Sequence, residues 1–372
     1  FFHTDGHMDF LYLISDVASD KGNTYYVFDR GETAKISECC RLSFKLEEAD
    51  LLDAKEPWRM RYCALQNVSL NLPRLAYMAK NDDTKLMNLI TDRFILAVKA
   101  HKEKRVFMEK LLSLGENGPL ALLTMNRDGM PYLRFNHASH LIGMVGLNEM
   151  VQIHTGEEMH SSKRALKFGL KVIAHMKILT DKMRRQENMK IVLEQTPAES
   201  TSYRFARLDL RYFSPHAGRV MKGDIASGEV YYTNSTHLNV KHAMNPIERV
   251  TTEGLFHPLI EAGSISHVWL GEAQPSKEAI ADFVIKTFKH TTNDQIAFSP
   301  EFTTCNKCHR TARGLADACS YCGSTDVDGI TRITGYFTKV SSWNKGKLGE
   351  LKDRYRNVEF FPRENPKAAA ND

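Results

Sequence analysis

Cys305, Cys308, Cys319 and Cys322 stand as two C-x-x-C pairs with ten residues between them. Each pair forms a tight knuckle that sets two thiolates on one edge of a tetrahedron, and two knuckles complete a four-thiolate site. Zinc is the expected metal. An iron–sulfur cluster shares the thiolate preference, but short paired knuckles more often mean structural zinc. Four filled positions leave no place for a bound water, so the site is expected to organise the chain around it rather than to catalyse. His309, beside Cys308, is read as a surface residue. Lys307, Arg310 and Arg313 would also suit a non-catalytic zinc ribbon that binds nucleic acid.

Other residues could do chemistry in concert. Arg332-Ile-Thr-Gly335-Tyr-Phe337 sets a glycine inside a β-favouring run, which by itself marks a bulge, a turn or a close backbone approach. Cys39 and Cys40 are adjacent, and such a pair is either packed and inert or a reactive thiol in a loop. Thr196-Pro197-Ala198-Glu199 has the form of a helix start, with Thr196 as N-cap, Pro197 at the first position and Glu199 completing a capping box. The N–H groups and positive dipole end of such a helix suit phosphate oxygens, and Ser200, Thr201 and Ser202 add hydroxyl donors.

The elements that must position these residues read as alternating strands and helices. Tyr25 to Phe28 is β-like, and Ile36 to Leu42 a loop. Val68 to Leu72 is a strand closed by Pro73, followed by a helical stretch from Leu75 to Leu114 broken near Asn81. Leu120 to Met125 reads as a strand, residues 126–129 as a turn, Ser161 to Arg185 as a long amphipathic helix and Lys190 to Glu194 as a buried strand. This alternation predicts an α/β fold with parallel β/α units. The 372 residues, 42% of them hydrophobic, can bury a substantial core, and no apolar run is long enough to cross a bilayer. A net charge of +5 admits an anionic ligand without demanding nucleic acid, and nucleotide phosphates would suffice. Seven cysteines in this arrangement suit metal and thiol chemistry in a reducing compartment, hence the cytoplasm. The sequence opens on Phe1 with neither an initiator Met nor a signal peptide, as expected of a fragment.

The order Cys39-Cys40-Arg41, Asn71-Leu-Pro-Arg74, Thr196-Pro-Ala-Glu-Ser-Thr201, four cysteines, Arg332-Ile-Thr-Gly-Tyr336, then Ser341 to Tyr355 resembles the C-terminal part of the anaerobic, class III ribonucleotide reductases, which are glycyl-radical enzymes. The resemblance implies a portion of a ten-stranded β/α barrel over residues 1–298, with a finger loop near 36–44, and a zinc-binding and glycyl-radical domain over 299–372. It implies that Gly335 stores the radical, after an activating enzyme that uses an iron–sulfur cluster and S-adenosylmethionine removes a Cα hydrogen. Glycine suits that role because no side chain resists flattening of the centre and the backbone can approach a thiol closely. Cys40, directly before Arg41, matches the cysteine that passes its hydrogen to the glycine and takes the ribose 3′-hydrogen of a ribonucleoside triphosphate; Cys39 is the alternative if the register is off by one. Loss of the 2′-hydroxyl as water and reduction to the deoxynucleotide would follow, supplying DNA precursors. Ala198, Glu199, Ser200, Thr201 and Ser202 match the family's substrate segment. Ala64 stands where formate-using members carry Asn, so the reductant is either formate or a thioredoxin-like protein, the latter with Cys63 as a redox thiol. The family further implies a homodimer, with no membrane or nucleic-acid partner. Another glycyl-radical enzyme, such as a formate-lyase or dehydratase, is the nearest rival reading.

Overall fold

The computed structural model describes residues 6–30, 35–37, 43–45, 56, 61–126 and 129–361. Two compact units are formed, one from 1–28, 197–258 and 264–372, the other from 29–196 and 259–263. The chain opens the first unit with helix α1 (Met8–Asp20) and strand β1 (Tyr25–Val27). It then builds the second.

In the second unit, β2 (Lys35–Ser37) and β3 (Ser43–Lys45) pair antiparallel. Strand β4 (Cys63–Asn71) runs directly into α2 (Leu72–Ala79) because Asn71 caps that helix, its Oδ1 accepting from the Arg74 N–H at 3.3 Å with Pro73 in the first turn. Lys80 and Asn81 then take positive φ, and Asp82 caps α3 (Asp83–Leu112), so the expected break near Asn81 is present. Residues Leu120 to Met125, expected as a strand, instead hold a short helix, α4 (Ala121–Thr124). Apolar character without a clear period cannot separate a short strand from a buried turn of helix. Beyond it come β5 (Ala138–Val145), α5 (Leu147–Thr155), α6 (Lys163–Glu187) and β6 (Ile191–Gln195). Strands β4, β5 and β6 form a parallel sheet with β5 central, and β5 is buried along its whole length, as a strand covered on both faces must be. Gly143 of β5 lets its neighbours meet above it. A Cβ there would stand 1.8 Å from Thr196 Oγ1 and 2.9 Å from Asn67 Oδ1, while Ser69 Oγ lies 2.7 Å from Thr196 Oγ1 and the Asn67 side-chain amide donates to Glu194.

Back in the first unit, α7 (Ser200–Phe213) and α8 (His216–Val220) precede the hairpin of β7 (Lys222–Asp224) and β8 (Glu229–Tyr231), then α9 (Pro246–Gly254). Strand β9 (Ser266–Gly271), helix α10 (Lys277–His290) and strand β10 (Gln295–Pro300) make a β/α unit in which β10 lies parallel to β9 and antiparallel to β1. Leu11, Tyr26, Phe28, Val268, Ile280, Phe283, Ile296 and Phe298 form the core between that sheet and its helices. The last part of the chain is a four-stranded sheet of β11 (Phe302–Cys305), β12 (Thr311–Arg313), β13 (Val327–Arg332) and β14 (Phe337–Lys339), in the order β12-β11-β13-β14, followed by α11 (Lys345–Asp353). Among the described residues no helix is long and apolar enough to cross a membrane.

Candidate active site

Gly335 lies in the connection 333–336 that joins β13 to β14, whose last ladder pair is Arg332 with Phe337. The loop closes on itself through the Ile333 N–H, which donates to the Tyr336 carbonyl at 3.1 Å. Gly335 is buried although Tyr336 beside it is exposed. Donors converge on its carbonyl: the Tyr25 hydroxyl and Arg332 Nη1 both donate to the Gly335 oxygen. The same Nη1 lies 2.6 Å from the Tyr25 hydroxyl oxygen, and the guanidinium also donates to the carbonyls of Gly22 and Phe298. Its central carbon lies over the rings of Tyr25 and Phe337, 4.5 and 4.7 Å from their centroids, where a buried cation is attracted to the π faces.

The residues on either side of Gly335 are tied down independently. Thr334 Oγ1 donates to one oxygen of Glu199 at 3.1 Å and the Tyr336 hydroxyl to the other at 3.3 Å. Arg354, just past α11, donates to the carbonyls of Arg332 and Ile333 at 2.9 and 3.0 Å. Its guanidinium lies 4.0 Å from the Trp269 ring centroid and 5.3 Å from that of Trp343, and Glu350 accepts from it at 2.9 Å. Burial would raise the Glu350 carboxyl, but the charges of Lys347 and Arg354 outweigh it and hold that carboxyl below its ordinary range.

The metal centre is built by the same sheet. Cys305 ends β11 and pairs with Val327 at the start of β13, so the strand that delivers Gly335 is registered against the strand that delivers the first thiol. Each knuckle is shaped by an N–H that donates to sulfur, from Cys308 to Cys305 and from Tyr321 to Cys319, both at 3.4 Å. All four Sγ atoms lie within 4.8 Å of one another, with Cys305 to Cys322 at 3.7 Å and Cys308 to Cys319 at 3.6 Å. Four sulfurs bound at about 2.3 Å around a tetrahedral ion stand about 3.8 Å apart, so the donor set fits a thiolate-bound metal. The N–H donated by Tyr321 is the main influence that brings the Cys319 thiol down to about 7, toward the thiolate a metal needs. His309 is exposed and outside the cluster. Arg313 is drawn into the fold, donating to the carbonyls of Ser19 and Asp20 at the end of α1 and to that of Ala273.

A family model described as anaerobic ribonucleoside-triphosphate reductase matches residues 1–356. The chain belongs to that family. The anaerobic ribonucleoside-triphosphate reductase of Escherichia coli is 26% identical over 307 residues, covering 78% of this chain and 42% of its own length; that of Enterobacteria phage T4 is 26% identical over 311 residues, covering 78% and 48%. The chain therefore spans less than half the length of these curated relatives. Among solved structures, an anaerobic ribonucleotide reductase superposes with a TM-score of 0.70 at 18% identity, covering 94% of this chain and 52% of the other. The Thermotoga maritima anaerobic ribonucleotide reductase in complex with dATP and CTP gives 0.67 at 18% identity, covering 91% and 52%. These likenesses establish the α/β fold of the anaerobic ribonucleotide reductases.

Of the residues singled out in the sequence, Cys39 and Cys40 lie outside the described residues, within the connection between β2 and β3. Cys63 opens β4, half-buried, and the register of β4 against β5 slips between Ala64 and Gln66. The helix expected to start at Pro197 begins three residues later, at Ser200, and Glu199 makes no capping bond because its carboxylate is engaged by Thr334 and Tyr336. Thr196 is instead drawn to Ser69. The Ala198 N–H donates to Asn234 at 3.4 Å and the Ser202 hydroxyl to the Tyr232 carbonyl at 2.8 Å, whereas Ser200 is exposed and Thr201 half-buried. Tyr25 and Arg354 carried no local signal. Only the R-x-T-G-Y spacing hinted at Arg332.

Proposed function

We propose that this chain supplies the radical-storing and thiol-bearing part of an enzyme that reduces ribonucleoside triphosphates to deoxyribonucleoside triphosphates. The observation that carries the reading is a buried glycine, Gly335, gripped on both sides in a hairpin that is registered to a four-thiol metal site, in a chain of this family. Functionally, residues 1–298 would serve the substrate and 299–372 the metal and the radical. The four cysteines would hold Zn2+, which fixes the register of β11 and β13 and so the position of the loop. A radical-S-adenosylmethionine activating enzyme would remove one Cα hydrogen of Gly335. The Cys40 thiol would then give a hydrogen atom to that Cα, leaving its sulfur to take the ribose 3′-hydrogen.

Substrate phosphates would lie at the start of α7, where Ser200 and Thr201 offer hydroxyls and first-turn N–H groups and Ala198, Glu199 and Ser202 shape the backbone. Ala64 in place of an Asn favours a dithiol protein over formate as reductant, with Cys63 as a redox partner. A cytoplasmic homodimer is the expected setting. The rival zinc ribbon for nucleic acid is disfavoured by Arg313, whose guanidinium donates to three carbonyls of its own fold.

The test is anaerobic incubation of the full-length protein with its activating enzyme, followed by electron paramagnetic resonance and a CTP reduction assay. A doublet signal and dCTP formation are expected, both abolished in Gly335→Ala. A wild-type protein with no doublet, or a Gly335→Ala variant that still forms dCTP, overturns the reading.

A further inference from the structure

From the donors that converge on the Gly335 carbonyl we infer that Tyr25 and Arg332 are the residues that tune and position the radical centre. The inference rests on the role proposed for Gly335. Both donors reach one oxygen, the Tyr25 hydroxyl from β1 and Arg332 Nη1 from β13, and Nη1 also meets the Tyr25 oxygen at 2.6 Å. The tyrosine thus accepts from the cation while donating to the carbonyl. Such a chain polarises the hydroxyl and strengthens its donation.

The choice of oxygen matters chemically. An unpaired electron on Gly335 Cα is shared with that residue's own carbonyl, while its amide nitrogen pushes density toward the same group. The resonance form with negative charge on oxygen gains most from donors already aimed at it. Gly335 is buried, and Arg332 is 1% exposed. The guanidinium is fixed by the Gly22 and Phe298 carbonyls and by the rings of Tyr25 and Phe337, so the donors need no rearrangement when the hydrogen leaves. A packing role alone would not explain why both donors share this carbonyl. The same bonds hold the peptide plane beyond Gly335 and so keep the centre flat. Removal of the Cα hydrogen takes one proton and one electron together, so the charge of Arg332 is unchanged throughout.

The experiment uses the full-length protein, activated anaerobically, as wild type, Tyr25→Phe and Arg332→Lys. High-field electron paramagnetic resonance reads the g values, and electron–nuclear double resonance in H2O and D2O reads exchangeable protons coupled to the radical. Tyr25→Phe is expected to retain metal and the doublet, to raise the largest g value, to lose an exchangeable coupling and to lower radical yield roughly fivefold, the net worth of one hydrogen bond between neutral groups. Arg332→Lys should shift the spectrum in the same sense. Should Arg332→Lys fail to fold, Tyr25→Phe decides alone. A metal-loaded Tyr25→Phe protein with wild-type g values, couplings and yield overturns the inference while leaving Gly335 as the radical site. A wild type without any doublet overturns the role of Gly335 and this inference with it.

Discussion

Each thiol of the metal centre carries a separate share of the fold. Cys319 is buried, receives the Tyr321 N–H at 3.4 Å and lies 3.6 Å from Cys308. Serine there keeps the volume but gives a hard, neutral donor that a thiolate-selecting metal binds poorly. Cys319→Ser should therefore lose its metal by elemental analysis and lower the unfolding midpoint by on the order of 10 °C in calorimetry. Full metal content with unchanged melting would show that the cluster does not support the sheet. These four cysteines were legible in the sequence because two short spacings define the whole site. The contacts of Tyr25 and Glu199 with the Gly335 loop were not, because Tyr25 meets the Gly335 carbonyl across 310 residues and Glu199 meets Thr334 across 135. No local pattern encodes a contact of that separation.

Among the elements, helix α11 decides whether the Gly335 loop keeps its grip. It packs on β8 through two glycines one turn apart: a Cβ on Gly349 would stand 2.3 Å from the Glu229 carbonyl oxygen, and one on Gly346 would stand 2.7 Å from that of Val230. Backbone atoms cannot yield as a side-chain tip can, so Gly349→Ala should cost about 2 kcal/mol. It should also lift the helix whose end presents Arg354 to the carbonyls of Arg332 and Ile333. Faster proteolysis within 333–336 and a lower melting midpoint are expected; wild-type behaviour in both would mean that β8 accommodates the methyl group. Strands and long helices were largely readable from the sequence: the helical stretch broken near Asn81, the helix over Ser161 to Arg185 and the buried strand from Lys190 have counterparts in α2 with α3, α6 and β6. The start of α7 was not. A capping box and a carboxylate engaged by a distant loop share the same residues, and only tertiary structure chose the second.

Across the whole molecule, acid should act on the two units in different windows. In the second unit, His140 at the start of β5 is 1% exposed and meets His101 of α3 edge to face at 5.5 Å. Burial, then the nearby charges of His101 and Arg105, push its pKa down from 6.5 to about 4. His101 is lowered too, mainly by burial. Such a group is neutral in the folded chain but takes up a proton on unfolding, so its share of stability is intact above 6.5 and is lost as pH falls toward about 4. For His140 that loss is on the order of 3 kcal/mol. In the first unit Glu350 has the same sign but a lower window, favouring the folded state above its ordinary 4.5 and losing that benefit only as pH falls through its lowered value. Hydrogen exchange followed from about pH 7 to about pH 4.5 should show β5 and β6 losing protection before β13 and α11. His140→Gln, which cannot take up the proton, should remove most of the pH slope in β5 and β6 and leave β13 unchanged. Equal loss of protection in both units, or a slope that survives His140→Gln, would assign the acid sensitivity to other groups.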